Sequence, residues 1–449
     1  MQFILLSGGS GKRLWPLSNE VRSKQFIQIF QQPEELGRER ESMVQRVYRG
    51  LTKLAIPAGI TVATSESQVS AIRNQLVENV GISVEPCRRD TFPAIALASA
   101  FLHNIKGVTE EEAVVVCPVD PYVEDDFFMA LADLGRQAEN GTANLTLLGI
   151  QPTYPSEKYG YIIPENCEEL STVKTFREKP DEETARKYIS QGALWNGGVF
   201  AYKLGYMLSK ARELLGSSDY DTLLDGYMDF PKISIDYAVA EKEPSIQVRR
   251  FAGTWKDLGT WNTLTEAMDK AVLGKGRLDA TSSNTHIVNE LDVPVIGLGL
   301  HDVVVAVSPE GVLVSDKQQS GGLKPMVEAI HQEIRIADKS WGSYRVLDVG
   351  NESLTIKVTL KPGHSMHYQR HKYRDEVWTI VSGQGYVIID GVKREVAAGE
   401  TIRILRGMKH LLAATTEVKA IEVQTGMLIS AEDKEIFDEE LTGQVGVKS

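Results

Sequence analysis

Phe3-Ile4-Leu5-Leu6-Ser7-Gly8-Gly9-Ser10-Gly11-Lys12-Arg13-Leu14 decides how the rest of this chain is read. Four apolar residues read as a short buried strand, and the serines and glycines after them turn the chain sharply. Glycine at such a turn lets backbone N–H groups approach phosphate oxygens, and a following helix adds its positive end. A P-loop needs Gly where Leu6 stands and Ser or Thr where Arg13 stands; a dinucleotide fingerprint needs Gly at Leu14. Both fail, and on glycine content alone a plain strand-to-helix turn reads equally well. Working outward, Gly59–Ala63, Ala113–Cys117 and Leu145–Ile150 are further short apolar runs bounded by turn residues. Between them Thr91–Ile105 opens on Asp90, Thr91 and Pro93, which is helix-start chemistry, and continues rich in alanine. Strands alternating with helices through about residue 275 predict an α/β domain with a mostly parallel sheet.

From about residue 285 the texture turns β-rich. Val303–Val307 and Gly311–Ser315 read as a hairpin around Pro309-Glu310-Gly311, and Gln318-Gln319-Ser320-Gly321-Gly322 as an exposed loop within a joint at Lys317–Lys339. Val377–Val381 and Tyr386–Asp390 flank Ser382-Gly383-Gln384-Gly385, a second hairpin signal. At 449 residues the chain is long enough for two or three domains, here 1–275, a β-rich connector 276–335, and 336–449. The formal charge of −12 argues against nucleic acid as a partner, and no apolar run approaches a bilayer span. Cys87, Cys117 and Cys167 are too few and too scattered for a disulfide framework. The expectation is a soluble cytoplasmic protein acting on small molecules; a homo-oligomer stays open.

Seven stretches in order carry more information than any one of them. They are Gly8-Gly9-Ser10-Gly11-Lys12-Arg13-Leu14-Trp15-Pro16 with Ser23-Lys24-Gln25-Phe26, Asp90–Leu97, Pro118-Val119-Asp120, Phe176–Asp181, Trp195–Phe200, Ser234–Ala238 and Trp255–Trp261. Together they resemble the sugar-1-phosphate nucleotidyltransferases, specifically the mannose-1-phosphate guanylyltransferases, over about the first 265 residues. The resemblance implies a Rossmann-like domain that transfers a nucleotidyl group from GTP to mannose 1-phosphate. By it, Leu6, Gly8, Gly9, Gly11, Asp90 and Thr91 bind the nucleotide, and Arg13 and Lys24 neutralise its phosphates. Asp120 and Asp257 are implied ligands of Mg²⁺, a hard ion suited to carboxylate and phosphate oxygens. Lys179 would hold the sugar phosphate, and Glu178, Asn196, Gly197 and Asp236 would contact the sugar. Such chemistry needs charge neutralisation and positioning rather than a covalent intermediate. Asp90 stands where the family commonly has Asn, and Val119-Asp120-Pro121 where it has Ala-Asp-His, so another base or sugar is the alternative. A regulatory protein that only binds nucleotide is a second alternative, against which the two carboxylates argue.

Four of the eight histidines, His364, His367, His371 and His410, fall in one β-rich stretch. In a strand Gln369 and His371 share a face, which suits joint coordination, although these groups could also satisfy one another inside a small barrel. Gly363-x5-Gln369-x-His371-x4-Glu376-x6-Gly383 and Gly399-x7-Gly407-x2-His410 resemble the two cupin motifs. With Trp378, Trp341-Gly342-Ser343-Tyr344 and Ile421–Gly426, the stretch Lys339–Met427 resembles type II phosphomannose isomerases. That implies a cupin β-barrel in which Gln369, His371, Glu376 and His410 hold Zn²⁺ or another divalent metal, with Arg374 near the substrate. His364 and His367 are expected at the rim. Val377 and Leu411 replace the usual His and Arg, so the expectation is a bound metal with weak or absent isomerase activity.

Overall fold

The computed structural model describes residues 1–9, 12–32, 40–54, 58–76, 80–330, 333–430 and 432–437. By internal contacts the chain forms two units, Met1–Gly11 with Ser23–Asp269, and Lys12–Arg22 with Lys270–Ser449. The first is built on nine strands: β1 (Gln2–Ser7), β2 (Gly59–Ser65), β3 (Gly81–Glu85), β4 (Ala113–Pro118), β5 (Leu145–Ile150), β6 (Tyr161–Pro164), β7 (Leu170–Arg177), β8 (Leu194–Lys203) and β9 (Ile246–Phe251). Their order in the sheet is β3-β2-β1-β4-β8-β5-β9-β7-β6. Pairing is parallel through β3, β2, β1 and β4, and again between β5 and β9. The expected parallel sheet thus holds on one side, whereas β8 enters antiparallel between β4 and β5, and β7 pairs antiparallel with both neighbours.

Alternate residues of the central strands feed two different cores. Phe3, Leu5, Val115 and Cys117 enter one; Ile4, Val114 and Val116 enter the other. A sheet covered on both faces needs unbroken apolar strands, which is what Ala113–Cys117 and Leu145–Ile150 supply. Helix Met43–Thr52 starts at a capping box between Ser42 and Gln45, and helix Thr91–Ala100 at Asp90, whose carboxylate accepts from Thr91 N–H. The chain leaves β1 towards β2 on one side while β4 lies on the other, so the carboxyl ends of β1 and β4 flank a topological switch point. Gly8 and Gly9 follow β1, and Asp120 follows β4.

In the second unit, strands β10 (His286–Asn289), β11 (Val303–Ser308) and β12 (Gly311–Asp316) continue a small sheet, with β11 and β12 forming the expected hairpin. Segment Lys12–Arg22 folds onto it. Arg22 makes two hydrogen bonds of 2.8 Å to Glu290, and Asn19 donates to the buried Glu310 at 2.8 Å. Glu310 also accepts the backbone N–H groups of Arg335 and Ile336. Where a loop was expected, Gln318–Gly322 is a 3₁₀ turn leading into helix Leu323–Glu328, because Asp316 accepts from the N–H groups of Gln318 and Gln319.

The strands of the C-terminal barrel are β13 (Ile336–Lys339), β14 (Gly342–Val349), β15 (Ser353–Leu360), β16 (Gln369–Arg370), β17 (Arg374–Ser382), β18 (Gln384–Ile389), β19 (Val392–Ala397), β20 (Thr401–Ile404), β21 (His410–Ala414), β22 (Val418–Gly426) and β23 (Glu435–Ile436). They make two antiparallel sheets, β13-β14-β15-β22-β17-β20 and β19-β18-β21-β16-β23. Trp341, Leu360, Trp378, Ile402, Leu412 and Val418 fill the core of this barrel. The hairpin expected at Ser382–Gly385 is instead a corner, since β17 and β18 belong to different sheets. Gly383 has φ +90°, and a Cβ there would lie 2.0 Å from the Glu417 carbonyl oxygen. The true hairpin is one turn later, at Asp390-Gly391 between β18 and β19, where both residues have positive φ.

These two glycines should respond differently to alanine. Gly383→Ala meets both a left-handed backbone and a backbone oxygen, and is expected to lose about 3 kcal/mol or more in urea denaturation. Gly391→Ala, with φ +81° and no atom within 4 Å of the added Cβ, should lose about 1 kcal/mol. Equal losses would contradict the corner.

Candidate functional site

Below the first glycines lies a buried polar network. Gln25 Nε2 donates to Ser7 Oγ at 3.2 Å and to Gln68 Oε1 at 3.2 Å, Gln68 Nε2 donates to Ser23 Oγ at 2.7 Å, and Thr64 Oγ1 donates to Ser7 O at 3.1 Å. The Gly9 carbonyl accepts from Ser23 Oγ, Gln68 Nε2 and Arg88 Nη2, so the peptide is committed on its carbonyl side. Gly9 has φ +95°, and nothing lies within 4 Å of a Cβ built on Gly8 or Gly9, which leaves the turn bare for a ligand. Gly11 lies outside the described residues. Arg13 is exposed in the turn Lys12–Leu14 of the second unit. Thr64 and Gln68 escaped sequence reasoning, because a Gln in a helix and a Thr in a strand carry no motif of their own.

Asp120 and Asp257 come together through a short antiparallel ribbon, Pro121–Val123 with Trp255–Asp257, in which Pro121 faces Asp257. Between the carboxylates sits one ammonium group: Lys24 Nζ is 2.8 Å from Asp120 Oδ2 and 3.7 Å from Asp257 Oδ1. Two carboxylates converging on one cation are a hard oxygen donor set, which fits a divalent ion completed by phosphate oxygens. An aromatic wall follows. Tyr159 packs on Trp195 at 5.0 Å and on Trp255 at 5.5 Å, and burial raises its phenol pKa, aided by the charge of Asp257.

Trp195 leads into a cluster of hydrogen-bonding groups. Asn196 Nδ2 donates to Asp236 Oδ1 at 2.7 Å, and Asn196 Oδ1 accepts Gly198 N–H. Glu178, 7% exposed, pairs with Lys179 Nζ at 2.8 Å, while its Oε2 is buried without a hydrogen-bond partner among the described residues. The bond to Glu178 raises the Lys179 pKa. Gly160 lets Glu178 in, since a Cβ there would lie 2.3 Å from Oε2, and Gly197 backs onto Ile150 and Trp255. Burial first, then the charge of Glu178, pushes the Asp236 carboxyl up to about 6. Next to Asp236, Thr91 Oγ1 accepts Ile235 N–H, and the buried Glu85 accepts the Tyr227 hydroxyl at 2.9 Å. Leu6 is the penultimate residue of β1, its carbonyl accepting Val119 N–H.

In the barrel, Gln369, His371, Glu376 and His410 are all buried and all face inward. The ligating atoms of His371, Glu376 and His410 lie within 4.8 Å of one another. Gln369 Oε1 and His410 Nε2 are buried without hydrogen-bond partners among the described residues, an expense that a bound cation would offset. Burial lowers the pKa of both imidazoles, which keeps their ring nitrogens available as neutral ligands. The far nitrogens are oriented by backbone carbonyls, His371 Nδ1 by Asp433 and His410 Nδ1 by Met408. The set therefore fits a divalent metal. Arg374 turns onto the donors themselves, with Nε 3.0 Å from Glu376 Oε1 and Nη2 3.1 Å from His371 Nε2. Trp378 Nε1 donates to Glu376 Oε2 at 3.0 Å. Beside Glu376, Glu422 of β22 is held protonated well above the carboxylate range by burial and then by the Glu376 charge. His367 is exposed and His364 half-buried, as expected.

The two departures from the isomerase pattern do not reach this set. Val377 lies between the inward Glu376 and Trp378, and Leu411 follows His410 into a separate cluster with Tyr368 and Ala413. Strand alternation turns both away, so the expected loss of polar groups around the metal is corrected.

Residues 2–272 match the family model described as Nucleotidyl transferase, and residues 327–439 the one described as Mannose-6-phosphate isomerase C-terminal. The mannose-1-phosphate guanylyltransferase of Salmonella montevideo is 30% identical, with 96% of this chain and 97% of that protein covered. The xanthan biosynthesis protein XanB of Xanthomonas campestris pv. campestris is 30% identical, with 97% and 98% covered. A crystal structure of mannose-1-phosphate geranyltransferase from Thermus thermophilus superposes with a TM-score of 0.62 at 31% identity, over 73% of this chain and 98% of that one. No helix of the described residues is long and apolar enough to cross a membrane.

Asp236 gives a pH signature. Its folded pKa of about 6 lies above that of an unfolded aspartate, about 3.9. The folded state binds more protons between these values, so this group's contribution to stability is full below pH 4 and is lost as pH rises to 6. Denaturant titrations from pH 4 to 7 should show a decline that Asp236→Asn flattens by roughly 1–3 kcal/mol. Parallel curves for the two proteins would refute the shift.

Proposed function

The chain belongs to the nucleotidyl transferase family, and from that premise we propose that it transfers the guanylyl group of GTP to mannose 1-phosphate. An oxygen of the sugar 1-phosphate attacks the α-phosphorus, the bond from that phosphorus to the bridging β-phosphate oxygen breaks, and GDP-mannose and pyrophosphate result. The observation that carries the reading is the convergence of Asp120 and Asp257 on Lys24 at a switch-point strand end. A Mg²⁺ ion held by these carboxylates supplies, when bound, neutralisation of phosphate charge. Gly8, Gly9 and Gly11 cradle the nucleotide, Lys24 and Arg13 neutralise its phosphates, and the segment from Glu85 to Thr91, Asp90 included, reads the base. Lys179 takes the sugar phosphate as a point charge. Glu178, Asn196, Gly197 and Asp236 hold the hydroxyls: the unpartnered Glu178 oxygen needs a donor, and the Asp236 carboxyl can donate or accept near neutral pH. The product is an activated sugar of the kind polysaccharide synthesis consumes.

We assign this transferase to 1–275, the connector to 276–335 and a cupin domain to 336–449. In the cupin, Gln369, His371, Glu376 and His410 hold Zn²⁺ or a similar divalent ion, which supplies carbonyl polarisation when bound. The proposed reaction is interconversion of mannose 6-phosphate and fructose 6-phosphate, supported by the inward donor set and by the outward direction of Val377 and Leu411.

Two measurements test these readings. Pyrophosphate release with GTP and mannose 1-phosphate, against panels of other nucleotides and sugar phosphates, should be best for that pair. It should fall by about 10²–10³ or more in Asp120→Ala and Asp257→Ala, while their melting curves stay cooperative. Elemental analysis after purification without chelators should find about one divalent ion per chain bound by the cupin. His371→Ala should lose that ion together with isomerase turnover, and a metal-free native protein would overturn the cupin reading.

A further inference from the structure

Two of the four inward donors depend on one short strand: Gln369 lies on β16, and His371 directly follows it. One neighbour of β16 is β21, where Gln369 faces His410. The other is β23, the edge of that sheet, where Gln369 faces Ile436 and Arg370 faces Glu435. The chain around β23 grips the donor strand at further points. Phe437 N–H donates to Tyr368 O at 2.9 Å, and Arg370 Nε donates to Glu435 Oε2 at 2.7 Å. The Arg370 guanidinium and the Lys409 ammonium lie over the Phe437 ring, 5.3 and 3.9 Å from its centre.

Asp433 is the centre of this grip. Its side chain is buried, and its two oxygens take different amides of the turn that follows His371. Oδ1 accepts Lys372 N–H at 2.9 Å, and Oδ2 accepts Tyr373 N–H at 3.0 Å. The Asp433 carbonyl accepts from His371 Nδ1. A carbonyl can only accept, so Nδ1 carries hydrogen and the neutral ring presents its lone pair at Nε2, 3.1 Å from Glu376 Oε1. The same stretch seats Arg374, whose Nη1 donates to Ser430 O at 2.9 Å and to Asp433 O at 3.4 Å. Ser430 and residues 432–437 thus form a strap that fixes the backbone behind a metal ligand, the tautomer of that ligand and the neighbouring cation.

We propose that this C-terminal strap is a working part of the metal centre, with Asp433 the positioning residue for His371. Docking of the strap and binding of a divalent cation then strengthen each other by the same factor, as linkage requires. The proposal rests on the reading of the barrel as a metal-binding cupin and adds to it the element that prepares the site. Without the strap, the turn after His371 loses both amide acceptors, and the imidazole is free to rotate and to exchange tautomers. In the other direction, a cation on Nε2 draws electron density from the ring. The Nδ1–H then donates more strongly to the Asp433 carbonyl, which carries the coupling back to the strap.

The test uses the full-length protein, stripped with a chelator and titrated with Co²⁺, whose visible bands report coordination geometry. Asp433→Ala is expected to weaken Co²⁺ binding about 10–100-fold and to shift those bands. Asp433→Asn, which keeps an acceptor for one of the two amides, should lose less. The control is Asp316→Ala at the end of β12, which removes another carboxylate that accepts two backbone N–H groups, those of Gln318 and Gln319. Its affinity and bands should match the native protein's even where its melting temperature falls. In the native protein, hydrogen exchange at the amides of Lys372, Tyr373 and Phe437 should speed up about tenfold on chelation and slow again with Co²⁺. Native affinity and bands in a folded Asp433→Ala, or exchange at those amides that ignores the metal, overturn the coupling and leave the metal reading in place. A native protein that takes up no Co²⁺ overturns the metal reading and the coupling with it. Should Asp433→Ala fail to fold, Asp433→Asn and the native exchange rates decide.

Discussion

A strand shows each face only every second side chain, and both halves of this protein are organised by that constraint. In the first unit it divides one apolar run between two cores, which is why β4 carries no polar residue before it reaches the edge of the sheet. Chemistry is thereby confined to the ends of strands, where Ser7, Gly8 and Asp120 stand. In the barrel it sorts neighbours in sequence to opposite sides, sending Gln369, His371, Glu376 and His410 inward and Val377 and Leu411 outward.

Charge is then concentrated against the background that alternation leaves. Asp120 and Asp257 share one lysine, and burial with the charge of Glu178 pushes the Asp236 carboxyl up to about 6. Sites that are electrostatically incomplete favour ligands that complete them, and the polar networks beneath keep the geometry from relaxing. Gln25 and Gln68 under the glycine turn, and the Glu310 carboxylate gripping Asn19 with two backbone amides, are such supports.

Much of this was legible in the sequence. The β1 glycine turn and the apolar strands point to an α/β domain, because strand burial and tight turns demand those residue types locally, whereas the transferase reading rests on the resemblance carried by seven short motifs in order. Gln369 and His371 announce a shared face by their spacing alone. Contacts between distant segments were not legible. The Ser382–Gly385 stretch has hairpin chemistry, yet Gly383 is required by the Glu417 carbonyl, which is remote in sequence. Gln318–Gly322 has loop composition but is wound by Asp316. Val377 and Leu411 looked like losses to the metal site until the barrel fixed which way they point. The meeting of Tyr159 with Trp195 and Trp255 likewise belongs to tertiary structure. Local pattern determines which residues are buried and which turn, since those preferences act over a few bonds; which buried groups face each other depends on how sheets close, and that is settled by packing across the whole domain.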